Sequence, residues 1–272
     1  MISSTIQEAF DDAIRDIGVS LSLSTDFLSP PMELLNRTND FRSIKTTFES
    51  IYGSIPMLHR NILNSSIILT TYASYEAYVH ELMELYIGEY TSICHSIDDV
   101  DDALQNFHLR VIAERVRRGK AKQRNSTRFV DIAIAELSNH ISGSGPISFD
   151  KSICREQHNN FRLAELSGCL SRIGARGFIE HLKQSEKARE LLGKSPLSED
   201  DVRLPLEDFV VTRNEIMHSF DVAQSKGKDW IEAKLKLVSL VVSETNVFLG
   251  LRLQERMERS QTRMHMNPLP QN

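Results

Sequence analysis

Between Leu206 and Phe220 an arginine stands where a core residue belongs. On a helical wheel of about 100° per residue, Ile216, Phe209, Phe220, Leu206, Met217 and Val210 fill one apolar arc. Arg213 falls inside that arc, and Asn214 and His218, four residues apart, stack on its flank. A guanidinium is a planar, permanently charged fork suited to phosphate or carboxylate oxygens. An imidazole with an ordinary pKa near 6.5 gives or takes a proton at neutral pH. The Asn214 amide can orient the imidazole or donate to an anion. Arg213 and His218 lie about 140° apart on an ideal helix, so one helix does not aim both side chains in parallel.

A guanidinium directed at a core is costly unless it is partnered. A second anomaly supplies a candidate. The run from Pro56 to about Tyr90 reads as the longest helix, apolar almost all round. Glu76 sits on its apolar side with Tyr72, Leu69, Ala73, Met83 and Ile87. The expectation is that Glu76 and Arg213 meet. A purely structural pair is one reading, and a carboxylate that holds the guanidinium over a cleft is the other.

The elements that position these residues read as helices throughout. Glycine and proline are sparse and fall mostly between segments. Candidate helices cover Thr5 to Leu23, Met32 to Ile51 (stopped by Gly53), Pro56 to Tyr90, and Asp98 to Arg118 (broken at Gly119). Further candidates cover Thr127 to His140, Phe161 to Ile173 and Phe178 to Leu192. A capping box formed by Ser198 and Asp201 opens the helix carrying Arg213, and Trp230 to Arg259 follows. The predicted organisation is a helical extension over 1–54, a helical domain over 55–260 with a basic insertion at about 92–150, and a flexible tail over 261–272.

With 272 residues and a net charge of −5, the chain is no polycation, so any nucleic-acid surface must be local. Arg110, Arg115, Arg117, Arg118, Lys120, Lys122, Arg124 and Arg128 form such a patch, with Glu114 its only acid. Arg115, Arg117, Arg118, Lys120, Lys122 and Arg124 are the candidate RNA-backbone contacts. A solvated helix face is the alternative. Tyr72, Tyr75 and Tyr78 read as packing residues before stacking platforms. Cys94, Cys154 and Cys169 are odd in number and scattered, which suits a reducing cytoplasm. His59, His80, His95 and His108 show no paired ligand spacing, so no metal or other cofactor is expected. No signal peptide or membrane span is expected either.

The segment Arg213-Asn214-Glu215-Ile216-Met217-His218 resembles the R-N-x-x-x-H signature of the HEPN superfamily. The helix Ser65 to Tyr78, ending in Ala73-Ser74-Tyr75-Glu76-Ala77-Tyr78, resembles the small–aromatic–Glu helix of the RiboL-PSP-type HEPN group. His158-Asn159-Asn160-Phe161-Arg162 with Ser171-Arg172-Ile173-Gly174 resembles a segment that precedes the motif in that group. The likeness spans about residues 55–90 and 155–255. It implies an all-α, up-down four-helix core with inserted helices, which dimerises so that two motifs face one cleft. Many members are metal-independent endoribonucleases of toxin–antitoxin or phage-defence systems. Others bind RNA, nucleotide or a partner protein without cleaving.

The resemblance therefore implies Arg213, Asn214 and His218 as the catalytic set, with Glu76 in support. It also implies RNA as substrate, a homodimer, and an antitoxin or defence-system protein as possible partner. The products would be a 2′,3′-cyclic phosphate and a 5′-hydroxyl. A helical scaffold in which Arg213 and Glu76 only fix the core is the reading from outside this class.

Overall fold

The computed structural model describes residues 42–94, 97–121, 160–218 and 226–266, with isolated positions at 11, 12, 15, 138, 149 and 154. Among these residues there is no strand. Seven α-helices follow one another: α1 (Arg42–Ser92), α2 (Asp102–Ala121), α3 (Leu163–Arg172), α4 (Phe178–Gln184), α5 (Glu186–Leu192), α6 (Glu199–His218) and α7 (Lys228–Met266). A 3₁₀ turn, Ile97–Asp99, precedes α2. The expected helices over Thr5 to Leu23 and Thr127 to His140 lie outside the described residues, apart from short helical pieces at 11–12, 15 and 138.

Helix α1 is the spine. Ile67, Ile68, Tyr72, Tyr75, Val79, Leu82, Met83, Tyr86, Ile87 and Tyr90 are all buried on one side, the i, i+3, i+4 pattern of a core-facing stripe. Ser66, Thr70, Ala73 and Ala77 form the exposed side. Helix α7 packs along α1 in the same direction. The Asn64 amide donates to the Lys226 carbonyl at one end (3.0 Å). Arg256 covers the Tyr90 ring at the other (5.1 Å).

Helix α6 runs against α7. Asp208 accepts from Trp230 Nε1 at 2.9 Å and pairs with the buried Lys234 at 2.8 Å. Lys234 also donates to the Pro205 carbonyl (2.6 Å). Helix α3 completes the core, entering beside Tyr75 and ending beside Asp101. Leu166, Leu170, Leu206, Phe209, Val238 and Val241 meet in one continuous cluster between α3, α6 and α7.

Several helix ends differ from the sequence expectation. Helix α1 runs unbroken through Gly53 and Pro56. A glycine costs a helix about 1 kcal/mol and a proline about 3, and cooperative propagation from the strongly apolar stretch beyond carries the helix across both. Helix α2 likewise passes Gly119 and ends at Ala121. The Phe178 to Leu192 segment is two helices, not one. Ser185 terminates α4 in an extended conformation and then caps α5, its hydroxyl accepting from the Ala188 N–H (3.2 Å).

Half of the expected capping box is formed: Asp201 Oδ2 accepts from the Ser198 N–H at 2.8 Å, but the Ser198 hydroxyl donates to the same oxygen (2.7 Å) and does not accept from the Asp201 N–H. Lys194 also pairs with Asp201. Together the Lys194 ammonium and the Ser198 donors hold the Asp201 carboxyl down at about 2. Pro205 lies inside α6, which starts at Glu199. Helix α7 continues past Arg259 to Met266. Among the described residues no helix is long and apolar enough to cross a membrane.

At the far end of the bundle from Arg213, Asp101 ties four segments together. It accepts from Arg256 (2.6 Å) and from the Ala103 N–H (2.9 Å), and its own N–H donates to the Tyr90 hydroxyl (2.8 Å). Gly174, at φ +85°, allows the close approach. A Cβ there would come within 3.1 Å of the Asp101 Cβ.

Candidate functional site

The Arg213–His218 segment is the last turn and a half of α6. Phe209, Val210 and Thr212, just before it, are buried, which anchors this end of the helix. Arg213 and Asn214 are half-buried, and His218 is exposed. The Arg213 guanidinium lies over the Tyr72 ring, 4.6 Å from its centroid. One of its N–H groups donates to Asn214 Oδ1 at 2.9 Å. Stacking on an aromatic face is a favourable setting for a guanidinium removed from water, because the ring's negative face stands in for an anion.

The expected ion pair between Glu76 and Arg213 does not form. Glu76 is half-buried one turn beyond Tyr72 on α1, and no hydrogen bond or ion pair joins it to the guanidinium. The two groups still feel each other. Burial raises the Glu76 pKa, and Arg213 pulls it down without cancelling the rise. Burial, with the Glu76 charge adding to it, pushes the Tyr72 hydroxyl up to about 12. The site thus holds a carboxylate short of compensation and a guanidinium that rests on a ring.

Met217 departs from its wheel position. It is 56% exposed, because direction on a helix decides burial only where a neighbouring helix stands at that level. Arg213 and His218 diverge as the wheel requires: the first turns onto α1 and the second faces solvent.

Tyr72 and Tyr75 have a task that the sequence did not disclose. Both are fully buried. The Tyr72 hydroxyl accepts from the Phe161 N–H at 2.8 Å, and the Tyr75 hydroxyl donates to the Phe161 carbonyl at 3.1 Å. Two tyrosines one turn apart therefore satisfy both backbone groups of Phe161. This fixes the start of α3 beside the motif helix, with Arg162 at its N-cap. The ring under Arg213 and the hydroxyl holding Phe161 belong to the same residue. Only the ring under Arg213 had a signal in the sequence, since Tyr72 lies four residues before Glu76 and so on its face. Tyr78 is half-buried against the same core.

Of the basic run, Arg110 and Arg117 are exposed on α2, and Arg117 is bonded to Glu114 at 2.6 and 2.7 Å. Arg115, Arg118 and Lys120 lie on the same helix, their side chains outside the description. Lys122, Arg124 and Arg128 lie outside the described residues. No grouping of His, Cys, Asp and Glu that would hold a metal ion occurs among the described residues.

Compared with known families, residues 32–249 match the one described as RiboL-PSP-HEPN. No curated protein and no solved structure matches the chain.

Proposed function

This chain belongs to the RiboL-PSP-HEPN family, and from that premise we propose that it is a metal-independent endoribonuclease whose site is built on Arg213, Asn214 and His218. The observation that carries the reading is the half-buried Arg213 guanidinium, which among the described residues has no carboxylate against it and rests on an amide and an aromatic ring. Such a group has its charge available for a phosphate.

In the proposed reaction an imidazole of His218 takes the proton of a ribose 2′-hydroxyl. The oxygen attacks the adjoining phosphorus, and the bond to the 5′-oxygen breaks. That oxygen leaves with a proton delivered by an acid of the site, giving a 2′,3′-cyclic phosphate and a 5′-hydroxyl. Arg213 stabilises the charge that builds on the phosphorane, and Asn214 holds the guanidinium in place. Glu76 supports it through the electrostatic field, not by direct contact.

Arg213 and His218 point apart on one helix, so the reading includes a second copy that brings its own motif to the cleft. The exposed faces nearby support closure by a homodimer. Leu204 is 53% exposed and Val211 41% exposed, seven residues apart on α6, while the exposed side of α1 carries only small residues from Ser66 to Ala77. Small side chains let helices approach closely. A cytoplasmic toxin or phage-defence role, with an antitoxin or defence protein as antagonist, follows from the same family reading.

A second reading is a silent module that binds RNA, nucleotide or a partner protein. It is favoured by one observation: the His218 imidazole has no orienting hydrogen bond among the described residues. Incubation of the purified protein with total RNA in EDTA separates the two. Cleavage by the wild type that is lost in folded His218→Ala supports the nuclease. Binding without cleavage supports the silent module.

A further inference from the structure

We propose that Arg162 is a second phosphate-contacting residue, acting with Arg213 from the segment that Tyr72 holds, so that the site grips two phosphates of a single-stranded RNA. The proposal rests on the ribonuclease reading and concerns how that site holds its substrate.

Geometry and pairing carry it. Arg162 directly follows the peptide that Tyr72 and Tyr75 clamp, so its backbone is placed by the ring that supports Arg213. That backbone is further pinned. Its N–H donates to the Asn160 carbonyl at 3.0 Å, and its carbonyl accepts from the Leu166 N–H at 2.9 Å. The segment is thus a rigid mount. One tyrosine spans the gap between the Arg213 guanidinium and this mount.

The side chain of Arg162 is half-buried, and among the described residues its guanidinium has no hydrogen bond, carboxylate or aromatic partner. Glu165, one helical turn on and on the same face, is close enough to raise the pKa of Tyr72 and Tyr75, yet it does not pair with Arg162. The contrast with the far end of the bundle is direct. There Arg176 and Arg256 are matched with Asp101, and Arg252 with Glu255. Arg213, over the Tyr72 ring, and Arg162, on the segment bonded to the Tyr72 hydroxyl, have no carboxylate partner among the described residues. A half-buried guanidinium without an anion is in place for one that arrives with the ligand. RNA backbone supplies one anion per nucleotide, so a single strand can meet both arginines.

The test uses the full chain carrying His218→Ala, to suppress cleavage, and a fluorescein-labelled single-stranded RNA that the wild type cleaves. Dissociation constants are measured over a series of salt concentrations for this parent and for Arg162→Gln, Arg162→Lys and Arg259→Gln added to it. Loss of one phosphate contact lowers the slope of log affinity against log salt by about 0.7 for a single strand. Arg162→Gln is expected to weaken binding several-fold with that loss of slope. Arg162→Lys should restore the slope, and Arg259→Gln, on the exposed end of α7, should leave it unchanged. Melting temperatures equal to the parent's show that the fold is intact, and if Arg162→Gln melts early, the Arg162→Lys slope is read alone against the parent. An unchanged slope in Arg162→Gln, an equal loss in Arg259→Gln, or a slope that Arg162→Lys fails to keep overturns the assignment. A wild type that cleaves no single-stranded RNA overturns the underlying ribonuclease reading instead.

Discussion

The guanidinium of Arg213 rests on the ring of Tyr72, 4.6 Å from its centroid, and not against the carboxylate of Glu76. A ring compensates a buried charge only in part, whereas a carboxylate at contact distance would neutralise it. The difference decides whether the charge is spent on the fold or kept for a ligand. Tyr72 also couples the motif helix to α3 through Phe161.

Tyr72→Phe should therefore separate the two duties of this residue. The ring under Arg213 stays, while the Phe161 N–H loses its acceptor in a buried setting. Leaving such a donor unsatisfied costs about 1–3 kcal/mol. Urea unfolding should show that loss, with RNA cleavage per folded molecule preserved. Tyr72→Ala removes the ring too and should cost about 3–5 kcal/mol, as truncation of a large buried aromatic does.

Glu76→Gln is expected to stabilise the protein at neutral pH. The sign follows from the direction of the shift. The folded-state pKa is raised, so between the unfolded and folded values the native state binds more protons, and stability falls as pH rises through that window. The charged carboxylate is thus a burden at pH 7, and an amide removes it. Melting temperatures should favour Glu76→Gln at about pH 7 and converge with the wild type below about pH 4. A lower melting temperature at pH 7 would show that Glu76 is held by a direct ion pair after all.

Asp101 should behave in the opposite sense. Burial works to raise its pKa, but hydrogen bonds from Arg256 and the Ala103 N–H outweigh it and leave the pKa lowered. The stabilisation is present above the ordinary carboxylate pKa and is lost as pH falls through the depressed one. Asp101→Asn should be less stable than the wild type at neutral pH, the gap closing below about pH 3. Gly174→Ala should lose about 1–3 kcal/mol at every pH. Its left-handed φ and the 3.1 Å approach to Asp101 both penalise a side chain. Thermal melts of the two variants across pH check both statements.

Features fixed by local chemistry were legible in the sequence, and features fixed by packing between helices were not. The all-helical core was readable because the apolar runs of α1, α6 and α7 are long and periodic, and the Asp201 half of the cap at Ser198 was readable because its chemistry is local. Helix ends at Gly53, Pro56 and Gly119 were misjudged. A local breaker of about 1–3 kcal/mol yields to a helix held elsewhere, and that hold is not local information. For the site, the wheel gave the direction of Arg213 correctly but not its partner. Two anomalous charges on apolar faces suggested Glu76, while the ring one turn away took the contact. Met217 failed for the same reason. Arg162 and the Phe161 clamp were out of reach, because they depend on where α3 enters beside α1.

The central claim is that Arg213 and His218 from two copies complete one RNA-cleaving site, and subunit mixing tests it most directly. Arg213→Ala and His218→Ala should each be inert toward RNA in EDTA while remaining folded. After the two variants are mixed, unfolded and refolded together, the mixed dimer holds one site with an intact arginine from one chain and an intact histidine from the other. Cleavage should return in the mixture, with 2′,3′-cyclic phosphate ends. A mixture that stays inert while wild-type protein treated identically cleaves would contradict it.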